Sequence, residues 1–289
     1  MSTVDIALIV ARVHAAHPEA MKQTVLITGA STGFGAAFAT TFAARGWNVI
    51  ATMRTPQAMP NAFVTRLDVQ DRASIDAAVA AGIERFGAID AVINNAGFGV
   101  HGVFEEATDA QVAQQFDVNV FGVMAVTRAV LPHMRARKRG VIANVTSGAG
   151  VFGVPSMALY CASKFAVEGF SEALSYELAS VGVVVKLVEP GGVLDTNFNA
   201  RAAGEAAKSV AIADYEPFRA HGAALLERMK AARATTTSQD VADATFAAIT
   251  DGTRQLRYVV TPDIRALVDA RRETSETQYM ALVRSQFEG

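Results

Sequence analysis

Tyr160 and Lys164 have the residue types and the spacing to do acid–base chemistry. Side chains four positions apart on a helix lie on the same face, about one turn from each other. An ammonium group favours the ionised phenol, so the pair predicts a lowered pKa for Tyr160. A phenol with a pKa nearer neutrality exchanges a proton with an oxygen. The pair is therefore equipped to interconvert an alcohol and a carbonyl, provided that another group carries the hydride.

A glycine-rich turn near the start of the chain predicts a site for that carrier. Residues 24–28 read as a short buried strand, 29–35 as the turn and 36–45 as an alanine-rich helix. Glycines allow close backbone approach, and the N–H groups and dipole of the helix favour a pyrophosphate. The spacing is G-x-x-x-G-x-G instead of G-x-G-x-x-G. Taken alone, the turn also fits close packing of a helix on a strand.

These segments, with four others, resemble the short-chain dehydrogenase/reductase family. The resemblance covers about residues 21–262. Its marks are the segments 28–35 (TGASTGFG), 94–97 (NNAG) and 160–164 (YCASK), the pair 190–191 (PG), and the single residues Asn119 and Ser147. The resemblance implies an α/β fold with a Rossmann-type doubly wound parallel sheet, and an oxidoreductase that uses a nicotinamide cofactor. Residues 52–54 (TMR) and 189–192 (EPGG) resemble the branch that contains hydroxysteroid and retinol dehydrogenases.

The resemblance implies four catalytic roles. Tyr160 is the general acid/base, and Lys164 lowers its pKa and hydrogen-bonds the nicotinamide ribose. Ser147 orients the substrate carbonyl; it is chosen over Thr146 because the serine of the family lies thirteen residues before its tyrosine. Asn119 matches the asparagine that holds a water of the proton relay. A solvent-facing asparagine in a helix is the alternative for that position.

The resemblance also implies which residues bind the cofactor. The residues of the phosphate loop are Gly29, Ser31, Thr32, Gly33, Phe34 and Gly35, and those expected near the adenine are Asp68 and Val69. The residues expected to contact the adenosine ribose are Asn95, Ala96 and Gly97, and those of the nicotinamide loop are Pro190, Gly191, Val193 and Thr196. Tyr160 and Lys164 also face the cofactor.

Two of these cofactor assignments, Asp68 and Thr196, depend on their neighbours in the sequence. Asp68 has an alternative as the cap of the next helix, but Asp71 suits that position better. The threonine position of the family's nicotinamide loop falls on Asp195, as if one residue were inserted before Thr196.

Residues 53 and 54 bear on the choice between NADP(H) and NAD(H). An NAD enzyme places an acid at the end of the second strand to bind the ribose 2′-hydroxyl, whereas an NADP enzyme supplies a cation there. Met53 occupies the place of the acid and Arg54 follows it. A guanidinium can donate two hydrogen bonds to the 2′-phosphate, so NADP(H) is the preferred cofactor. A solvated Arg54 and use of NAD(H) are the alternative.

The predicted substrate is hydrophobic: a ketone, an aldehyde or a secondary alcohol. A lid is expected over about 197–234, and apolar residues are frequent there and in the facing loops. The candidates are Phe198, Ile212, Tyr215, Phe218, Leu225 and Met229 in the lid, and Phe98, Val100, Phe152, Val154 and Met157 opposite. Ordinary amphipathic helix packing is the alternative for most of them. His101 borders this pocket or lies on a surface loop.

Two other functions compete with the oxidoreductase. A cofactor-binding regulatory or scaffold protein of the same fold would not need Asn119, Ser147, Tyr160 and Lys164 together. An epimerase or dehydratase would fit less well, because no longer substrate domain follows residue 262.

Strand and helix patterns alternate along the chain, which predicts a doubly wound parallel sheet of about seven strands. The strand-like runs are 24–28, 47–52, 62–67, 89–93, 140–146, 183–189 and 256–260. The helix-like runs are 34–45, 71–85, 108–137, 157–180, 215–233, 238–250 and 263–285. Ligands of such sheets bind at the carboxyl ends of the strands. Several candidate residues follow a strand directly, among them Gly29, Asn95 and Ser147.

Composition narrows the class of protein. The 289 residues are 51% hydrophobic and carry a net charge of −2, and no linker divides them, so 21–289 is interpreted as one domain. The mixed charge argues against a nucleic-acid partner, and no apolar run is long enough to span a membrane. The one cysteine, Cys161, fits a reducing, cytoplasmic setting. The five histidines lack metal-ligand spacing.

Two further expectations concern the N-terminus and assembly. Residues 1–20 lack the features of a secretory signal and are interpreted as a frayed extension, a mis-assigned start or a partner-binding arm. Helices 108–137 and 157–180 are expected to pair in a homodimer or homotetramer, as in the family. They carry apolar residues on more than one face, including Val123, Val126, Val130, Phe170, Leu174 and Leu178.

Overall fold

A seven-stranded parallel sheet forms the centre of the computed structural model, which describes residues 22–232 and 236–287. The strand order is β3-β2-β1-β4-β5-β6-β7. The strands are β1 (Thr24–Ile27), β2 (Asn48–Met53), β3 (Phe63–Arg66), β4 (Ala91–Asn94), β5 (Gly140–Val145), β6 (Val183–Glu189) and β7 (Arg257–Val259). All seven predicted strands and the fold class are confirmed. The predicted extension at 1–20 and the last two residues of the predicted lid lie outside the described residues.

Ten α-helices occur within the described ranges. They are α1 (Gly33–Ala44), α2 (Arg72–Phe86), α3 (Asp109–Phe116), α4 (Gly122–Arg137), α5 (Ala158–Ala179), α6 (Phe198–Ala206), α7 (Glu216–Ala232), α8 (Ser238–Thr250), α9 (Arg265–Glu273) and α10 (Glu276–Phe287). None of them is long and apolar enough to cross a membrane.

Three helical predictions differ from the structure. The run 108–137 is divided by a π-helical segment, Asp117–Phe121, between α3 and α4. The run 263–285 breaks at Thr274, which is extended, so that α9 and α10 are separate helices. Helix α6 was not predicted at all, because its alanines and glycine give only a short and weak periodic signal.

The sheet is covered on both faces, which explains why its strands read as continuous apolar runs. Along β1, Val25 and Ile27 pack on one side with α1 and α8, while Leu26 packs on the other side with α2, α4 and α5. Alternation of side chains along a strand produces this division. Two apolar layers therefore fix the sheet between its helices.

The chain order creates a crevice at the carboxyl edge of the sheet. It runs outward from β1 to β3 and then returns to place β4 on the other side of β1. At such a switch point the two adjacent crossovers lie on opposite faces, so the loops after the strands diverge and leave a ligand site. A separate apolar cluster of α7, α9 and α10 closes one end of that crevice.

Candidate active site

A cavity of about 810 Å³ lies at this carboxyl edge. Its walls come from the loops after β1, β2, β3, β4, β5 and β6, from α6 and α7, and from the C-terminal helices. Every predicted catalytic and cofactor-binding residue lines it except Gly35 and Asn119. The crevice thus brings together residues from distant parts of the sequence.

The loop before α1 is shaped to receive an anion. Gly29 and Gly33 adopt φ values of +67° and +54°, which side chains disfavour. A Cβ on Gly35 would overlap the carbonyl oxygen of Gly29, so Gly35 serves close packing instead of lining the cavity. The N-cap, Thr32, makes no side-chain cap bond, and the first turn of α1 carries no acidic residue. Its N–H groups remain available to an anion.

The loop after β4 is fastened to the phosphate loop. The Asn95 side-chain amide donates to the carbonyl oxygens of Thr28 (3.0 Å) and Gly29 (3.2 Å). The Thr28 hydroxyl accepts from the backbone N–H groups of Asn95 and Ala96, each at 3.0 Å. These bonds fasten the loop after β4, predicted to contact the adenosine ribose, to the loop predicted to bind the pyrophosphate.

Tyr160 is buried in the cavity wall and hydrogen-bonds the side chain of Ser147. Burial raises the pKa of the Tyr160 phenol well above its usual value, while the hydrogen bond to Ser147 lowers it. The predicted lowering of this pKa by Lys164 is wrong, because desolvation of the phenolate raises the pKa and Lys164 is not among the groups that lower it. The neutral phenol is therefore the favoured form.

Lys164 is buried one turn further along α5. Its Nζ donates to the carbonyl oxygen of Val145 at 2.9 Å and lies 5.6 Å from the centre of the Tyr160 ring. Burial lowers its pKa to about 8, and the neighbouring Glu168 carboxylate opposes that shift. The carbonyl at the end of β5 thus holds the ammonium beside the phenol.

Asn119 lies in the π-helical segment and does not line the cavity. Its amide donates to the Phe98 carbonyl oxygen (2.9 Å) and to Ser163 Oγ (3.1 Å), and its Oδ1 accepts from the Phe98 N–H (3.1 Å). It is fully buried, so a solvent-facing position is wrong. The side chain fixes the loop after β4 against α5, behind Tyr160 and Lys164.

Asp68, Val69 and Arg54, predicted to lie near the adenine and its ribose, all line the cavity. Asp68 Oδ1 accepts from the Gln70 N–H at 3.1 Å. Asp71, not Asp68, caps α2 by accepting from the Ser74 N–H, as expected. Met53 is buried at the end of β2, and Arg54 is exposed beside it. Met53 therefore occupies the position predicted for the acid of an NAD enzyme, and the cation follows it.

The loop after β6 faces the phosphate loop. A Cβ on Gly33 would contact Thr196, so Thr196 lies across the crevice as predicted. Asp195 instead accepts from the N–H and the hydroxyl of Ser238 (2.9 and 2.6 Å), at the start of α8. The residue at the usual threonine position is therefore an anchor for the loop, which explains the apparent insertion.

The apolar wall agrees with only part of the prediction. Phe98, Phe152, Val154, Met157, Phe198 and Leu225 line the cavity, whereas Val100, Ile212, Tyr215 and Phe218 do not. The Met229 side chain lies outside the described part of the chain. Phe198 packs edge-on against Tyr160 and His101, with ring centres 5.2 and 5.7 Å apart. Helix α6 therefore covers the phenol.

His101 lines the cavity and is not on a free surface loop. Its buried Nε2 has no hydrogen-bond partner among the described residues, and burial lowers its pKa. The lining also includes residues that sequence analysis missed, namely Ile264, Leu267 and Phe287 from the C-terminal helices and Arg201 from α6. Their apolar or helical patterns indicate packing, and only the fold brings them to the cavity. Among the described residues no group of histidine, cysteine and acidic side chains could hold a metal ion.

A family model and a curated relative match this sequence. A short chain dehydrogenase family model matches residues 23–208. A 3-ketodihydrosphingosine reductase from Bacteroides thetaiotaomicron is 44% identical over 170 residues, which are 58% of this chain and 63% of that enzyme. The match thus spans less than two thirds of the relative's length.

Solved structures show the same fold with either nicotinamide cofactor. A short chain dehydrogenase/reductase from Burkholderia phymatum in complex with NAD has a TM-score of 0.72 and 29% identity, covering 88% of this chain and 96% of that one. An actinorhodin polyketide ketoreductase variant with NADPH has a TM-score of 0.69 and 30% identity, covering 83% and 96%. The similarity supports a nicotinamide cofactor and leaves the choice between the two to the residues at the site.

Proposed function

Because this chain belongs to the short-chain dehydrogenase/reductase family, we propose that it transfers a hydride between NADP(H) and the carbonyl/alcohol pair of a hydrophobic substrate. The observation that carries the proposal is that Ser147, Tyr160 and Lys164 line the same cavity as an uncapped, glycine-shaped anion site. A binding module would not need that combination. The combination therefore supports an enzyme that binds a dinucleotide and carries out a chemical step in the same cavity.

The residues present fit a nicotinamide dinucleotide. The phosphate loop offers open N–H groups at the start of α1, and Asn95 holds the facing loop at a fixed separation. Gly191 N–H is bonded to Thr261 Oγ1 at 2.7 Å, which fixes the loop that would meet the nicotinamide. When bound, the dinucleotide supplies or accepts the hydride.

The side chains divide the remaining chemistry. Ser147 donates a hydrogen bond to the substrate carbonyl oxygen and polarises it. Tyr160 passes its phenolic proton to the same oxygen as the alcohol forms, and takes it back in oxidation. Burial keeps the phenol protonated, which is the state that reduction requires. Lys164 stabilises the phenolate that reduction leaves behind, and Asn119 fixes the backbone behind both.

NADP(H) is preferred because Arg54 follows β2 and Met53 replaces the acid. A carboxylate there would repel a 2′-phosphate, whereas the exposed guanidinium attracts one. The apolar wall supports a hydrophobic ketone, aldehyde or secondary alcohol. The 44% identical relative is named as a reductase of a keto compound, which supports reduction of a carbonyl.

A turnover screen tests the proposal. Oxidation of NADPH and of NADH is followed with a panel of aldehydes and ketones of increasing apolar size, with Tyr160→Phe as the matched variant. We expect faster turnover with NADPH and with bulkier apolar carbonyls, and a loss of about 10²- to 10⁴-fold in kcat for Tyr160→Phe. Turnover that survives this substitution would refute the assigned acid. Binding of the cofactor without turnover of any substrate would favour a scaffold protein.

We also propose assembly as a homodimer or homotetramer through the segment 109–137 and α5. Five of the six apolar residues that suggested this surface are buried in the core, namely Val123, Val126, Val130, Leu174 and Leu178. They are satisfied within the chain. The exposed apolar side chains of the same elements are instead Phe121, Phe165 and Tyr176, and they support the proposal.

A further inference from the structure

Three arginines from distant parts of the described chain line one cavity, and one of them, Arg219, is ion-paired with Glu106 and Glu216. The other two are Arg54 and Arg201. Arg54 follows β2, and Arg201 lies on helix α6 of the lid. Arg54 is exposed and makes no side-chain hydrogen bond or ion pair within residues 22–232 and 236–287. It is therefore a cation that lines the cavity and makes no ion pair with the acidic residues that the structure describes.

Arg201 is held in a defined position. Its guanidinium lies 4.3 Å from the centre of the Phe98 ring, in the loop after β4, and the side chain is half-buried. Burial lowers its pKa, and the positive charge of Arg54, which lines the same cavity, lowers it further. Glu205, one turn along α6, opposes the shift but is itself paired with Lys208 at 2.7 Å.

Like charges that share a partly desolvated cavity repel each other, and the cost falls when an anion lies between them. The planar guanidinium of an arginine can donate two parallel hydrogen bonds to two oxygens of one phosphate. The end of the second strand is where a dinucleotide places the ribose of its adenosine half. A phosphate on that ribose would therefore lie beside Arg54.

We propose that Arg201 is a second residue for the 2′-phosphate of NADP(H), binding it from the lid side while Arg54 binds it from the sheet side. The inference rests on the cofactor preference proposed above. Phe198 begins the same helix and packs on the Tyr160 ring. A phosphate held by Arg201 consequently also fixes the wall that covers the general acid.

Binding of cofactor fragments to the full chain tests the proposal without turnover. Isothermal titration calorimetry with 2′,5′-ADP, 5′-AMP and ADP separates the 2′-phosphate from the rest of the adenosine half. We expect Arg201→Gln to weaken 2′,5′-ADP by at least about tenfold, as for a lost charged hydrogen bond, and to change 5′-AMP and ADP by less than about twofold. Arg201→Lys keeps the positive charge but lacks the two-pronged guanidinium, so its affinity for 2′,5′-ADP should lie between those of the wild type and Arg201→Gln.

Two matched controls accompany these variants. Arg254→Gln removes the same charge from an exposed residue that does not line the cavity, and Ala203→Gln alters an exposed position on α6 itself. Both should bind all three fragments like the wild type. Because binding of 5′-AMP reports an intact adenosine site, a misfolded variant is recognised by its failure to bind any of the three fragments. If Arg201→Gln misfolds, the affinity of Arg201→Lys for 2′,5′-ADP tests the proposal instead.

The outcomes separate this inference from the cofactor preference. If Arg54→Gln weakens 2′,5′-ADP selectively but Arg201→Gln and Arg201→Lys do not, the lid assignment is overturned and the NADP(H) preference stands. If Arg201→Gln weakens ADP as much as 2′,5′-ADP, Arg201 contacts the pyrophosphate and the assignment is overturned. If the wild type binds 2′,5′-ADP no more tightly than 5′-AMP, the preference itself fails and the inference fails with it.

Discussion

At the scale of single residues, burial controls the chemistry of the site. Tyr160, Lys164 and Glu168 follow each other at four-residue spacing on one face of α5, and all three are buried. Burial raises the pKa of Tyr160, lowers that of Lys164 to about 8 and, with the nearby Glu189 carboxylate, raises that of Glu168 to about 7. Their spacing brings the three groups together on one helix face, and their desolvation shifts each pKa toward the neutral form.

Ser147→Ala should move the activity profile along the pH axis. The hydrogen bond from Ser147 lowers the pKa of Tyr160, so its loss lets burial raise that pKa further. We expect kcat to fall about 10²- to 10³-fold, as for removal of one carbonyl-polarising donor, and the rise of alcohol oxidation with pH to shift to higher pH. Ser147→Thr retains the hydroxyl and is the control. Activity loss with an unchanged pH profile would show that Ser147 does not act on the phenol.

His101→Leu should leave the protein at least as stable as the wild type at pH 7, because Nε2 has no partner among the described residues and a buried unpaired polar atom costs about 1–3 kcal/mol. The folded-state pKa is lowered, so below pH 6.5 the unfolded chain binds more protons and wild-type stability is lost as pH falls. The variant should lose less stability between pH 7 and 5, measured by urea unfolding.

His133→Leu is the matched control for that experiment. The His133 ring nitrogen accepts from the Ile89 N–H at 3.3 Å, so its removal leaves a donor unpaired and should destabilise the fold. Equal destabilisation by both substitutions would mean that His101 has a partner in solution.

At the scale of elements, the loop after β6 depends on packing that no motif describes. Gly191 N–H is bonded to Thr261 and Gly192 N–H to Asp263 (3.0 Å), and Asp195 fastens the far end to α8. Two segments remote in sequence, 261–263 and the start of α8, therefore hold the loop that faces residues 29–35. Its position is a tertiary property, although its residues are recognisable locally.

Gly191→Ala should impair cofactor binding. A Cβ there would overlap the Asp263 carboxylate, so the loop or Asp263 must move and the bonds to Thr261 and Asp263 weaken. We expect at least a tenfold higher Kd for NADPH by fluorescence titration and a lower melting temperature. Gly169→Ala is the control, because a Cβ meets no atom within 4 Å at that helical position, and alanine there should stabilise the protein. An unchanged Kd for Gly191→Ala would show that the loop tolerates the displacement.

At the scale of the whole molecule, the C-terminal helices complete a site that the sheet only begins. Leu225, Ile264, Leu267 and Phe287 belong to one apolar cluster and line the cavity. The His221 ring nitrogen is hydrogen-bonded to the Phe287 carbonyl oxygen at 2.8 Å, which joins α7 to α10. One end of the cavity is thus lined by segments that lie outside the family's sequence motifs.

The exposed apolar side chains of the segment 109–137 and α5 predict an oligomer. Phe121 and Phe165 are 56% and 41% exposed, and burying such rings favours association. Sedimentation velocity should show a dimer or tetramer, and Phe121→Glu combined with Phe165→Glu should dissociate it. Val210→Glu changes an apolar residue of the lid that is 82% exposed and should leave assembly unaltered. A monomeric wild type at micromolar concentration would contradict the prediction.

The sequence by itself determined the seven parallel strands, the edge of the sheet that carries the site, and nearly all of its polar residues. Periodicity and β-branched runs specify strands, and short motifs specify tight local geometry, so both are visible without the fold. The same local character explains the errors: α6 is short, and a break such as Thr274 depends on how α9 and α10 pack.

Tertiary structure alone decided the direction of the pKa shifts, the placement of Arg54 and Arg201 in one cavity, and the apolar wall from the C-terminus. Tyr160 and Lys164 predicted a lowered phenol pKa from their spacing, but desolvation depends on everything packed around a group and reversed the direction. Spacing records which groups are neighbours along the chain. Burial, and contact between residues far apart in sequence, exist only once the chain has folded.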